Sequence, residues 1–89
     1  MIPFLDFLDA ISNPMLNLQV QQLGENLYFH FTTSREVAAM VYCVRDGGGF
    51  VISQFKLEWA FRKQRAQIVV LVEQELTTRG AIWIRWEAS

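Results

Sequence analysis

Ser34-Arg35-Glu36-Val37-Ala38-Ala39-Met40-Val41-Tyr42-Cys43-Val44-Arg45-Asp46-Gly47-Gly48-Gly49-Phe50 sets the layout of the whole chain. Ser34 is a good N-cap, and Glu36 places negative charge in the first turn of a helix. Val37, Met40, Val41 and Val44 then recur at helical spacing. Asp46-Gly47-Gly48-Gly49 ends that run and permits a backbone with positive φ. The spacing predicts a helix over 34–45 and a glycine-rich turn into a strand.

Working outward, alternation resumes at Phe50. Val51, Ser53, Phe55, Leu57, Trp59 and Phe61 oppose Ile52, Gln54, Lys56, Glu58, Ala60 and Arg62, which reads as a strand from 50 to about 58. Upstream, Leu16, Leu18 and Val20 alternate with Asn17, Gln19 and Gln21. Leu27, Phe29 and Phe31 alternate with Tyr28, His30 and Thr32. Gly24-Glu25-Asn26 between these runs supplies turn chemistry, so the two form a β-hairpin.

Residues 60–79 favour a helix. Phe61, Ile68, Val72 and Leu76 make a stripe, and Gly80 follows as a C′ residue. The β-branched run Ile68-Val69-Val70-Leu71-Val72 keeps a strand at 67–75 as the rival, paired with the last strand. Basic residues near the start and Glu73 and Glu75 near the end also oppose the helix dipole. The last strand, Ala81 to Glu87, alternates Ile82, Ile84 and Trp86 with Trp83, Arg85 and Glu87. At the other end, residues 1–12 read as a short amphipathic helix stopped by Asn13-Pro14.

The expected order is α-β-β-α-β-α-β: a two-layer α+β fold, about four strands in one sheet with helices on one face, and one domain over 1–89. It resembles split-βαβ and ferredoxin-like folds in general, which says nothing about function.

The chain has 89 residues, a formal net charge of −1, and 52% hydrophobic but only 19% charged residues. An average domain carries about 25% charged residues. A disordered tail, a collagen-like repeat and a disulfide scaffold are excluded. Asp6 and Asp9 interrupt the apolar N-terminus, which lacks a basic n-region, so a signal peptide is not expected. No stretch approaches the roughly 18 apolar residues of a membrane-spanning helix, so no membrane is expected. Cys43 is the lone cysteine, and a reducing cytoplasmic location is the default.

Chemistry finds little footing. Cys43 and His30 are the one thiol and the one imidazole, and the pattern puts them on a helix and an open sheet face that need not meet. Zinc usually takes three or four protein ligands, and no such set is clustered. The glycine run follows a helix and precedes a strand, the reverse of a phosphate cradle. Neither an enzyme nor a cofactor is expected.

Two surfaces remain. Apolar and aromatic residues exceed what a small core can hide, and large apolar patches mark partner surfaces. Phe4, Tyr28, Ile52 and Trp83 are the candidate contacts, with Arg85 at the rim. The expected function is a non-enzymatic protein-interaction module, a homodimer or a small accessory subunit. The alternative is a nucleic-acid-binding domain. There Arg62, Lys63 and Arg65 would hold phosphates while Tyr28 and Trp83 stack bases.

Overall fold

The computed structural model describes residues 15–88. It shows one five-stranded mixed sheet and, among the described residues, one α-helix. The strands are β1 (Asn17–Leu23), β2 (Asn26–Thr32), β3 (Val37–Asp46), β4 (Gly49–Leu57) and β5 (Ile84–Trp86), and they lie in that order across the sheet. β1 to β4 form an antiparallel meander, and β5 returns parallel to β4. A 3₁₀ segment (Trp59–Gln64) leads into α1 (Arg65–Thr78), the crossover that joins those two parallel strands. The expected α+β class stands. The order of elements and the count of four strands do not, and the expected helix over 1–12 lies outside the described residues.

The predicted hairpin is present. β1 and β2 pair from Asn17↔Thr32 to Leu23↔Asn26, closed by Gly24-Glu25 with Gly24 at φ 64°. Glycine at the first central position is the usual chemistry of a two-residue turn.

The helix expected over 34–45 is instead β3, the central strand of the sheet. Ala39, Val41 and Cys43 are buried on one face, while Met40, Tyr42 and Val44 are half-buried on the other. A solvated helix needs a polar face, and residues 37–44 have none. A central strand needs none, and its Val and Tyr content suits a pleated surface. The N-cap signal belongs to the loop before it. The Thr33 hydroxyl accepts hydrogen bonds from the backbone N–H of Arg35 and Glu36, both at 3.2 Å. That is a local Ser/Thr turn rather than a helix start. The glycine run closes a second tight hairpin, with Asp46 paired to Gly49 and Gly47 at φ 58°.

A bulge decides β4. Tyr42 pairs with Gln54 but Cys43 pairs with Ile52, so Ser53 is the extra residue. An extra residue reverses the alternation beyond it. Phe50 and Ile52 therefore join Phe55 on the helix side, and Val51 moves to the opposite side. Ile52 is 0% exposed and packs in the core, which corrects its expected place among the partner contacts.

The helix expected over 60–79 is present as α1 from Arg65 to Thr78, its first part being the 3₁₀ segment, and the rival strand does not form. Phe61, Ile68, Val72 and Leu76 are all buried against Leu27, Phe29, Phe31, Val41 and Cys43. Each core side chain of this kind contributes about 1.5–3 kcal/mol on burial, which outweighs the β-branched preference of the segment. Its end is a Schellman motif. Gly80 N–H donates to Thr77 O at 3.0 Å and Ala81 N–H to Leu76 O at 3.0 Å, with Gly80 at φ 92°. The last strand is shorter than Ala81 to Glu87, because only Ile84 to Trp86 lie against β4.

Candidate interaction surface on the open sheet face

The 3₁₀ segment and α1 cover one face of the sheet. The other face is built by the alternate residues of β1 to β4: Asn17, Gln19 and Gln21, then Tyr28, His30 and Thr32, then Met40 and Tyr42, then Gln54 and Lys56. Cross-strand pairing aligns Gln21, Tyr28, Tyr42 and Gln54 in one row and Gln19, His30, Met40 and Lys56 in the next. None of these side chains is a carboxylate, but acids stand at the margin of the face: Glu58 pairs with Lys56 at 3.8 Å, and Asp46 ends β3 on the same side.

The rows are tied together. The Tyr28 and His30 rings stack with centroids 4.6 Å apart, and Tyr28 lies 5.7 Å from Tyr42 at a tilt. Such aromatic pairs contribute about 0.5–1.5 kcal/mol beyond their buried area. Asn26 Nδ2 donates to the Tyr42 hydroxyl at 2.9 Å, while Asn26 Oδ1 accepts the Arg45 backbone N–H at 3.0 Å. That pair of bonds holds the Tyr42 ring against β2. A depression of about 330 Å³ opens between Tyr28, Met40, Tyr42, Gln54, Phe55 and Lys56. Its lining is aromatic and thioether together with the amide of Gln54 and the amine of Lys56, which lies 3.8 Å from the Glu58 carboxylate.

The remaining candidate residues are dispersed. Tyr28 is at the centre of this face. Trp83 and Arg85 lie on the same side but at the β5 end. Ile84 and Trp86 pack against the core, so Arg85 points the other way, and its guanidinium sits 5.7 Å from the Trp83 ring. The Trp83 indole rests on Gly49 and is 37% exposed. Phe4 lies outside the described residues.

The basic cluster is on the helix side, with the sheet between it and Tyr28. Arg62 lies 4.1 Å over the Trp59 ring and donates to Trp59 O at 3.0 Å. Arg65 lies 5.3 Å from the Phe55 ring. Arg62, Lys63 and Arg65 therefore do not share a surface with Tyr28 or Trp83.

Cys43 and His30 do not meet. Cys43 is buried on the core face of β3, and His30 stands on the open face of β2. Burial pushes the Cys43 thiol up to about 12, by desolvation of the thiolate. The unfolded chain ionises this thiol near the ordinary 9.0, whereas the folded chain holds it protonated to about 12. Stability is thus expected to fall as pH rises from 9 towards 12, by up to about 1.4 kcal/mol per pH unit from this group. Urea titrations of wild type and Cys43→Ala across that window check it: the slope with pH should be shallower in the variant. Among the described residues no group of three His, Cys, Asp or Glu side chains stands close enough to hold a metal ion. No helix among them is long and apolar enough to cross a membrane.

Sequence reasoning placed Tyr28 and His30 on the open face but missed Met40, Tyr42 and Gln54 as their neighbours. The signal was the alternation of Ala39, Val41 and Cys43 with Met40 and Tyr42, masked by the helical spacing of the same residues. No family model, curated protein or solved structure matches this chain.

Proposed function

We propose that this chain is a non-enzymatic protein-interaction module, acting as a homodimer or as a small accessory subunit of a larger complex. The observation that carries the reading is the open sheet face, with Tyr28, His30, Met40 and Tyr42 side by side at its centre and the acids Asp46 and Glu58 only at its margin. Tyrosine and methionine are enriched in interface cores, and charged residues are depleted there. The amides around them offer hydrogen bonds without the desolvation cost of an ion. Trp83 and Arg85 extend the surface at the β5 end. The lone buried thiol fits a cytoplasmic setting.

The test is affinity capture from the host, comparing wild type with a Tyr28→Ala/Tyr42→Ala variant whose fold is verified by circular dichroism. Recovery of specific partners should drop about tenfold or more, equivalent to about 1.4 kcal/mol. An unchanged set of partners in unchanged amounts removes the open face from the reading.

The stacked Tyr28–His30 pair beside Lys56 favours a second reading, a platform for unpaired bases. Base stacking on aromatics contributes about 1–3 kcal/mol per base. In that case a labelled oligothymidine would bind at low salt, and Tyr28→Ala would weaken it more than Arg65→Ala. Arg65, on the far side of the sheet, has no part in such a platform.

A further inference from the structure

The outer edge of the sheet is formed by β1, which pairs only with β2 among the described residues. Edge strands are normally blunted by charge, proline or a bulge, because their free N–H and C=O groups invite another strand. β1 has none of these. Its sequence, Asn17-Leu18-Gln19-Val20-Gln21-Gln22-Leu23, holds no charge and no proline, and its pairing with β2 is unbroken. Leu18 and Val20 face the core side, yet both remain half-buried. The crossover helix returns the chain at the opposite edge, between β4 and β5, so among the described residues no helix connects strands at the β1 end of the sheet.

The chemistry of the strand selects its own copy. In an antiparallel pair, directly opposite residues share a face. A two-fold axis at Gln19 sets Leu18 against Val20 on the core side. It sets Gln19 against Gln19 and Asn17 against Gln21 on the open side. Apolar then meets apolar, and amide meets amide. An axis at Val20 instead sets Leu18 against Gln22, and an axis at Gln21 sets Val20 against Gln22. An axis at Leu18 also sets apolar against apolar, with Leu16 opposite Val20, but it draws on residues outside β1 and sets Gln21 against Met15. The Gln19 axis alone pairs residues 17–21 among themselves with no amide against an apolar chain. No like charges meet, because β1 has none.

We infer that two copies of this chain associate through antiparallel pairing of their β1 strands about Gln19, forming one continuous sheet across the dimer. This deepens the homodimer arm of the proposed function and names its interface. The open faces of the two copies then lie side by side and stay free for another partner.

The full chain tests this by self-pairing chemistry at Gln19. Two residues 19 would lie about 4.5–5.5 Å apart between Cα atoms, inside the range a disulfide spans. Gln19→Cys should therefore give a covalent dimer under diamide. Gln22→Cys should not, since its two copies would be about 20 Å apart at strand rise. The native Cys43 is buried and gives little background. Gln19→Lys and Gln19→Glu should each weaken self-association in sedimentation about tenfold, because like charges would be directly opposed. An equimolar mixture of the two should restore it. Gln19 is exposed, so both variants should keep the fold.

A strict monomer at micromolar concentration overturns the inference, including the case where another segment of the chain already covers β1. So does a dimer that cross-links at Gln22→Cys rather than Gln19→Cys. So does a dimer indifferent to charge at Gln19 but broken by Tyr28→Ala/Tyr42→Ala; there the interaction-module reading survives and only the edge pairing fails.

Discussion

Phe29→Ala should destabilise the protein by about 3–5 kcal/mol, among the largest effects of any truncation in this core. Phe29 is 0% exposed in the middle of β2, with Val20 opposite on one side and Val41 on the other. Below its face lie the buried stripe residues of α1, so its ring joins three strands to the helix layer. Truncation removes the transfer free energy of the ring and leaves a cavity that strands fixed by hydrogen bonds cannot close. A domain of this size holds only about 5–10 kcal/mol in total. Urea unfolding followed by circular dichroism should show a much lower midpoint with an unchanged slope. A loss below about 1 kcal/mol would mean that the ring is not the centre of the core, since only surface-like positions behave so mildly.

Gly49→Ala should cost about 3 kcal/mol by a different cause, steric overlap rather than a void. The position is not in the left-handed region, so conformation alone would tolerate alanine. The space is what is missing. A Cβ on Gly49 would overlap the Trp83 indole and come within 2.5 Å of the Trp83 carbonyl oxygen. That oxygen also accepts the Phe50 N–H at 3.1 Å, just before β5 joins β4. The indole can swing aside, but the carbonyl cannot move without breaking this bond. Gly47→Ala is the contrast: there is open space around it, and its cost is the positive φ, about 1–2 kcal/mol. A double-mutant cycle with Trp83→Ala should show a coupling of about 1 kcal/mol, because removing the indole relieves the part of the clash it causes. Equal costs for Gly49→Ala with and without Trp83 would assign the whole clash to the backbone.

These two positions show how unevenly the sequence speaks. Phe29 is legible without a structure, since period-2 alternation on both sides of Gly24 can bury only the Leu27, Phe29, Phe31 set. Gly49 is not. As one of three glycines it reads as a flexible stop, and its real requirement is a tryptophan distant in sequence laid across it. The same contrast divides the candidate surface. Local alternation places Tyr28 and His30 on the open face. Tyr42 was hidden, because its strand carries apolar residues at helical and strand spacing at once. Alternation alone puts Ile52 on the wrong face, because one extra residue at Ser53 inverts the count and nothing local to that residue announces it. The segregation of Arg62, Lys63 and Arg65 from the aromatics was likewise invisible, since it depends on which face the crossover helix takes.

The sequence by itself determined the first hairpin, the fourth strand, the stripe of α1 and its glycine stop. Each rests on interactions within a few residues: alternation, turn geometry and capping. Only the tertiary structure decided that residues 37–46 are a strand, that Ser53 is a bulge, and that the last strand runs parallel to β4. The physical reason is that β-pairing is non-local. A segment apolar all round is stable as a central strand only when two neighbours satisfy its backbone, and those neighbours come from elsewhere in the chain.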